Sequence, residues 1–169
     1  MGWGKSTTFG YLQTPGFSHG VPTGGNMPRK RPRWYRSNNN VVFACYYHVV
    51  WTTKYRSPVL VDGIDERLKQ VIDEVCQERR AVIVALEVMP DHVHVLVDVD
   101  PQFGIGPLVK LVKGRSSFLL RKQYPALKEA MPSLWTNSYF VSTTGRVTLS
   151  VVKRYVETQK ERAKATEAE

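Results

Sequence analysis

Met89-Pro90-Asp91-His92-Val93-His94-Val95-Leu96-Val97 is the stretch on which the reading of this chain turns. Pro90-Asp91 is a tight-turn dipeptide, and the β-branched run from His92 to Val99 is a strand. Side chains alternate faces along a strand, so His92 and His94 project to one side. Val93, Val95, Val97 and Val99 project to the other and form a continuous core face. Two imidazoles held in parallel on a rigid strand can grip one metal ion. A His-x-His pair also recurs by chance as ordinary surface or hydrogen-bonded histidine, so its weight depends on the rest of the chain.

Working outward, Ala81 to Val88 is a second strand, joined to the first through the Pro90-Asp91 turn. Before it comes a helix capped by Asp62, with Asp65 and Glu66 in its first turn and Arg79-Arg80 at its end, as the helix dipole favours. Ile64, Leu68, Val71, Ile72 and Val75 make its apolar stripe. Earlier still, Asn40 to Tyr55 is a long strand, apolar on both faces and therefore central. Downstream, Asp100-Pro101 ends the histidine strand and a helix runs from about Gly106 to Gln123, buried along Leu108, Leu111, Val112, Phe118 and Leu119. Lys110, Lys113, Ser117 and Arg121 share its opposite face, either as a solvated surface or as a stripe that tracks phosphates. Pro125 and Pro132 punctuate a looser connection to a last strand, Ser138 to Thr144, and Gly145 precedes a final helix, about Thr148 to Ala163. The order βαββαβ plus one helix predicts an α+β protein, a ferredoxin-like (RRM-like) sandwich with two helices on one face of an antiparallel sheet. The histidine face then looks across the open side, where a ligand would bind.

The 169 residues make one domain, expected over 39–165, preceded by a basic arm over 1–38. That arm is rich in Gly, Ser, Thr and Pro, carries the knot Arg29-Lys30-Arg31-Pro32-Arg33, and lacks the apolar pattern needed to offset its ordering entropy. Met27 is a candidate natural start. With 24 basic and 15 acidic residues, formal net charge +9, the chain suits a polyanion. No apolar run has membrane-spanning length and no signal-peptide pattern appears, which predicts a cytoplasmic protein. Cys45 and Cys76 lack metal-type or redox spacing and read as buried small residues.

On the final helix Val152, Tyr155, Val156 and Gln159 share one face. Tyr155 could be a packing anchor, but an amide one turn on has little to do on a packing face unless it binds something. With this helix the motifs form a set. His92-Val93-His94, Tyr155-Val156-Glu157-Thr158-Gln159, Tyr47-His48-Val49-Val50-Trp51-Thr52-Thr53-Lys54-Tyr55-Arg56, Lys113-Gly114-Arg115-Ser116-Ser117 and Leu134-Trp135-Thr136-Asn137-Ser138-Tyr139-Phe140 together resemble the blocks of one family. It is the single-tyrosine, HUH-type transposases (transposase A) of the smallest insertion sequences, and the resemblance runs from about Asn39 to Gln159.

That resemblance implies a DNA-strand transferase acting on single-stranded DNA folded into hairpins at an element's ends. Tyr155 would attack a phosphodiester and stay linked to the 5′ phosphate, leaving a 3′ hydroxyl. His92, His94 and Gln159 would bind a divalent metal, magnesium or manganese. The family works as a homodimer with sheets joined edge to edge and each tyrosine helix completing the partner's site. Lys54, Arg56, Lys110, Lys113 and Arg121 are the expected DNA contacts. A phenol, with its pKa of about 10, needs help to act as a nucleophile at neutral pH, and two imidazoles with an amide form a donor set of intermediate hardness. No side chain stands out as the general base. Alternatives are a nicking replication initiator or relaxase, a domesticated palindrome-processing relative, and a non-catalytic single-strand-binding module of the same fold. The chain is short for the first, and the third stacks bases on sheet aromatics where this strand carries histidines.

Overall fold

The computed structural model describes residues 35–159, and the basic knot and the end of the last helix expected at Ala163 lie outside them. The sheet is β3 (Tyr46–Thr52), β4 (Val82–Val88), β5 (His92–Asp98) and β6 (Phe140–Thr144), in the order β4-β5-β3-β6. All three pairings are antiparallel. Helices α1 (Ile64–Glu78) and α2 (Ile105–Gln123) supply the crossovers. This is the expected ferredoxin-like α+β sandwich. Val49, Trp51, Val93, Val95 and Val97 point into it and pack with Leu68, Ile72, Val75, Leu108 and Val112 of the two helices. The strand after Pro90-Asp91 and the valine parity are therefore as read.

Local features differ, among them Phe118, which is exposed rather than part of the buried face of α2. The long first strand is broken: a small hairpin, β1 (Arg36–Ser37) with β2 (Val42–Phe43), precedes β3. Part of the expected arm thus belongs to the folded unit. Arg36 donates to the buried Asp98 carboxylate at 3.3 Å, and Cys45 N–H donates to the same side chain at 3.0 Å. Asp62 does not cap α1. The chain enters through a left-handed turn, Asp62 at φ 54° and Gly63 at φ 87°, and the cap residue is the glycine, which tolerates that φ without a Cβ clash. The stretch from Pro125 contains a further short helix, α3 (Pro125–Ala130), with proline in its first turn, where no amide donor is required.

The last helix, α4 (Arg146–Glu157), begins directly after Gly145 and lies on the outer face of the sheet. Val156, wholly buried, packs with Ala85 of β4 and Leu96 of β5, and Leu149 and Val152 flank them. The face expected to be open is therefore partly covered by the chain's own helix. The reason is Leu96: between the histidines and Asp98 it offers an apolar patch that α4 removes from water.

Candidate active site

Register decides which side chains meet on the outer face. β3 pairs with β5 so that Thr52 stands opposite His92, Val50 opposite His94 and His48 opposite Leu96. His48 and His94 are thus diagonal cross-strand neighbours, a spacing within reach of aromatic side chains. Their rings stack at 10° with centroids 5.4 Å apart, and His48 Nε2 lies 3.2 Å from His94 Nδ1, one nitrogen donating to the other. His92 and His94 have centroids 4.9 Å apart. The phenol ring of Tyr155 stands edge-on to both, 6.0 Å from His94 and 6.1 Å from His48. The sequence-predicted pair and the predicted tyrosine are therefore brought together within one chain.

Each histidine has a defined neighbour. His92 Nδ1 hydrogen-bonds the Asp91 carboxylate, whose other oxygen accepts from Arg56 Nε at 2.9 Å. Burial alone would raise the Asp91 pKa, but the bonds from His92 and Arg56 outweigh it and hold the carboxyl below its usual value. His94, only 6% exposed, is pushed down to about 4 by burial, with the charges of His92 and His48 adding to the effect. Burial also lowers His48. His94 and His48 are therefore neutral at physiological pH, the form in which imidazole is a ligand. Gln159 Nε2 donates to the Tyr155 carbonyl at 3.0 Å, which leaves the amide oxygen as the acceptor. Among the described residues no three His, Cys, Asp or Glu side chains form a ready metal cage.

His48 and Asp91 were not singled out from the sequence. Asp91 reads there only as a turn residue. His48 lies in a strand apolar on both faces, so its parity shows only once the non-local register with β5 is known.

The expected DNA contacts divide. Lys113 Nζ donates to the carbonyls of Thr136, Asn137 and Ser138 at 2.7, 3.2 and 3.0 Å, and burial lowers its pKa. Arg121 donates to the carbonyls of Pro132 and Met131 at 2.9 and 3.3 Å. Both cations clamp the chain after α3 rather than projecting to solvent. Arg115, quoted in the same block, pairs with Glu78 of α1. Lys110 is exposed beside a groove lined by Gly106, Trp135, Asn137 and Tyr139. Lys54 and Arg56 lie on the short turn between β3 and α1, next to the histidine strand.

Comparisons with known proteins bear on this arrangement. A family model described as transposase, IS200-like, matches residues 41–159. The chain is 34% identical over 130 residues to the ISDra2 transposase TnpA of Deinococcus radiodurans, covering 76% of this chain and 93% of that one. It is 27% identical over 125 residues to the transposase for insertion sequence element IS200 of Salmonella typhimurium, covering 73% and 82%. A D. radiodurans crystal structure assigned as a transposase superposes with TM-score 0.59 at 36% identity, over 73% of this chain and 97% of that one. A REP-associated tyrosine transposase bound to a REP hairpin shares the fold, with TM-score 0.56 at 13% identity over 79% and 73% of the two chains.

Proposed function

The chain belongs to the IS200-like transposase family, and from that premise we propose that it cuts and rejoins single-stranded DNA at hairpin-marked element ends through a 5′-phosphotyrosine at Tyr155. The observation that carries this reading is the edge-on approach of the Tyr155 ring to His94, 6.0 Å between centroids, on a sheet face that presents two further imidazoles. The phenol oxygen attacks the scissile phosphorus and its proton leaves. The bond from phosphorus to the 3′ oxygen breaks, and that oxygen takes up a proton to become a hydroxyl. The diester energy is kept in the phosphotyrosine, so attack by a 3′ hydroxyl reverses the step at a new junction.

The histidine neighbours fit a metal site. If His92 Nδ1–H donates to Asp91, its Nε2 lone pair is left for a ligand bond. If His94 Nδ1–H donates to His48, its Nε2 is left in the same way. Gln159 keeps its amide oxygen for the third position. A divalent cation, magnesium or manganese, would be held by these three residues and would stabilise charge on the phosphate as a Lewis acid. Packing of Val156 against Ala85 and Leu96 fixes the helix that carries Tyr155, whose ring faces the histidines, and Gln159 follows two residues after that helix ends. Lys54, Arg56 and Lys110 are the basic side chains we assign to DNA, with the net charge of +9 steering encounter. A homodimer would form through the outer strand β6, whose Phe140 and Val141 are exposed.

The test uses single-stranded hairpins taken from palindromes that flank the gene, with manganese or magnesium present. The wild-type chain should form a covalent protein–DNA band on a denaturing gel. Tyr155→Phe should form none while binding the same hairpin. A band from Tyr155→Phe would move the nucleophile elsewhere, with Tyr139 next in line.

A further inference from the structure

The turn Thr53-Lys54-Tyr55-Arg56 joins β3 to the segment before α1, and it is held with unusual firmness. Thr53 is wholly buried, and its hydroxyl donates to Ser57 O at 2.8 Å or Asp91 O at 3.1 Å. Thr53 N–H also donates to Asp91 O at 2.9 Å, and Lys54 N–H donates to Leu134 O at 2.8 Å. Between these anchors two successive non-glycine residues adopt left-handed backbone, Tyr55 at φ 60° and Arg56 at φ 53°. That conformation is unfavourable for any residue with a Cβ and persists only where the surroundings impose it. Its effect is to turn Tyr55 outward, 74% exposed, while Arg56 reaches back to the Asp91 carboxylate beside His92.

We propose that Tyr55 is a stacking platform for an unpaired DNA base next to the phosphate at the histidine site. The proposal rests on the single-strand reading above and extends it to a residue that reading does not use. An aromatic ring held clear of the surface has no packing role here. Lys54 Nζ lies over the ring, 5.3 Å from its centroid, so one face is held by a cation that can also meet the phosphate of a nucleotide stacked on the other face. Arg56 contributes a second cation on the other side in sequence. Aromatic faces with adjacent cations are how proteins hold single strands without reading their sequence. Tyr55 lies three residues beyond Thr52, which pairs with His92, so the base concerned is one close to the cleaved bond. A duplex, whose bases are already stacked, offers this ring nothing.

The experiment compares Tyr55→Ala, Tyr55→Phe and wild type by fluorescence anisotropy, using oligothymidylate, a blunt duplex, and a hairpin with an unpaired flank. Tyr55→Ala should weaken oligothymidylate and flanked-hairpin binding by roughly 5- to 150-fold, with the blunt duplex unchanged and Tyr55→Phe close to wild type. A 2-aminopurine in the flank should be quenched by wild type and not by Tyr55→Ala. Equal losses on all three ligands, or no loss on any, would overturn the proposal. So would a Tyr55→Ala effect confined to the dimer dissociation measured by sedimentation. If wild type binds oligothymidylate through Tyr55 but prefers no hairpin, the stacking stands and the hairpin reading fails.

Discussion

Lys113 and Lys110 show how one helical stripe can hold two different kinds of residue. Both lie on the same face of α2, and the spacing alone gives them equal standing as phosphate contacts. In the structure all three donors of Lys113 are taken by backbone carbonyls, whereas Lys110 is exposed. Lys113→Met should therefore leave those carbonyls without their donor and lower stability by about 1–3 kcal/mol, with the salt dependence of DNA binding unchanged. Lys110→Ala should leave the melting temperature alone and reduce the log–log salt slope by about one. Thermal melts and a salt titration of hairpin affinity distinguish the two, and a reversed pattern would return Lys113 to the DNA face. The histidines were legible from the sequence because alternation needs only neighbours in the chain. Lys113, Arg121, His48 and Asp91 were not, because their roles depend on carbonyls and rings that are distant in sequence.

At the scale of elements, α4 carries the account. Its apolar residues predicted a docked helix and a Tyr155–Gln159 face, but not what it would dock on. The partner surface, Ala85 and Leu96, comes from two other strands, and Leu96 interrupts an otherwise polar row. Element order was readable from turn residues and periodicity, so βαββαβ emerged intact. The departures are where local chemistry had two solutions. Asp62 could cap a helix or enter a left-handed turn, and Pro125 could end a helix or begin one. Val156→Asp would put a carboxylate against the buried patch and release α4 while sparing the α1 and α2 core. Covalent adduct formation should fall by about 100-fold or more, since small misplacements of a reacting group are that costly. Hairpin affinity should change little. Equal loss of binding and cleavage, with far-ultraviolet circular dichroism collapsed, would mean that α4 supports the whole fold.

On the scale of the whole molecule, the question is which chain's tyrosine serves which histidines. Here Tyr155 meets His94 and His48 of its own sheet, whereas the family resemblance implies that the helix completes a partner's site. Mixing Tyr155→Phe with His92→Ala separates the two arrangements. Sites built within one chain leave the mixture dead, as the packing seen here expects, while exchange of α4 between protomers restores part of the cleavage. No helix among the described residues is long and apolar enough to cross a membrane. The chemistry itself is tested most directly by mapping the covalent complex. Wild-type protein is trapped on a single-stranded hairpin, digested with nuclease and protease, and sequenced by mass spectrometry. The account expects the nucleotide phosphate on the peptide that contains Tyr155, and an adduct on Tyr139 or any other side chain would contradict it.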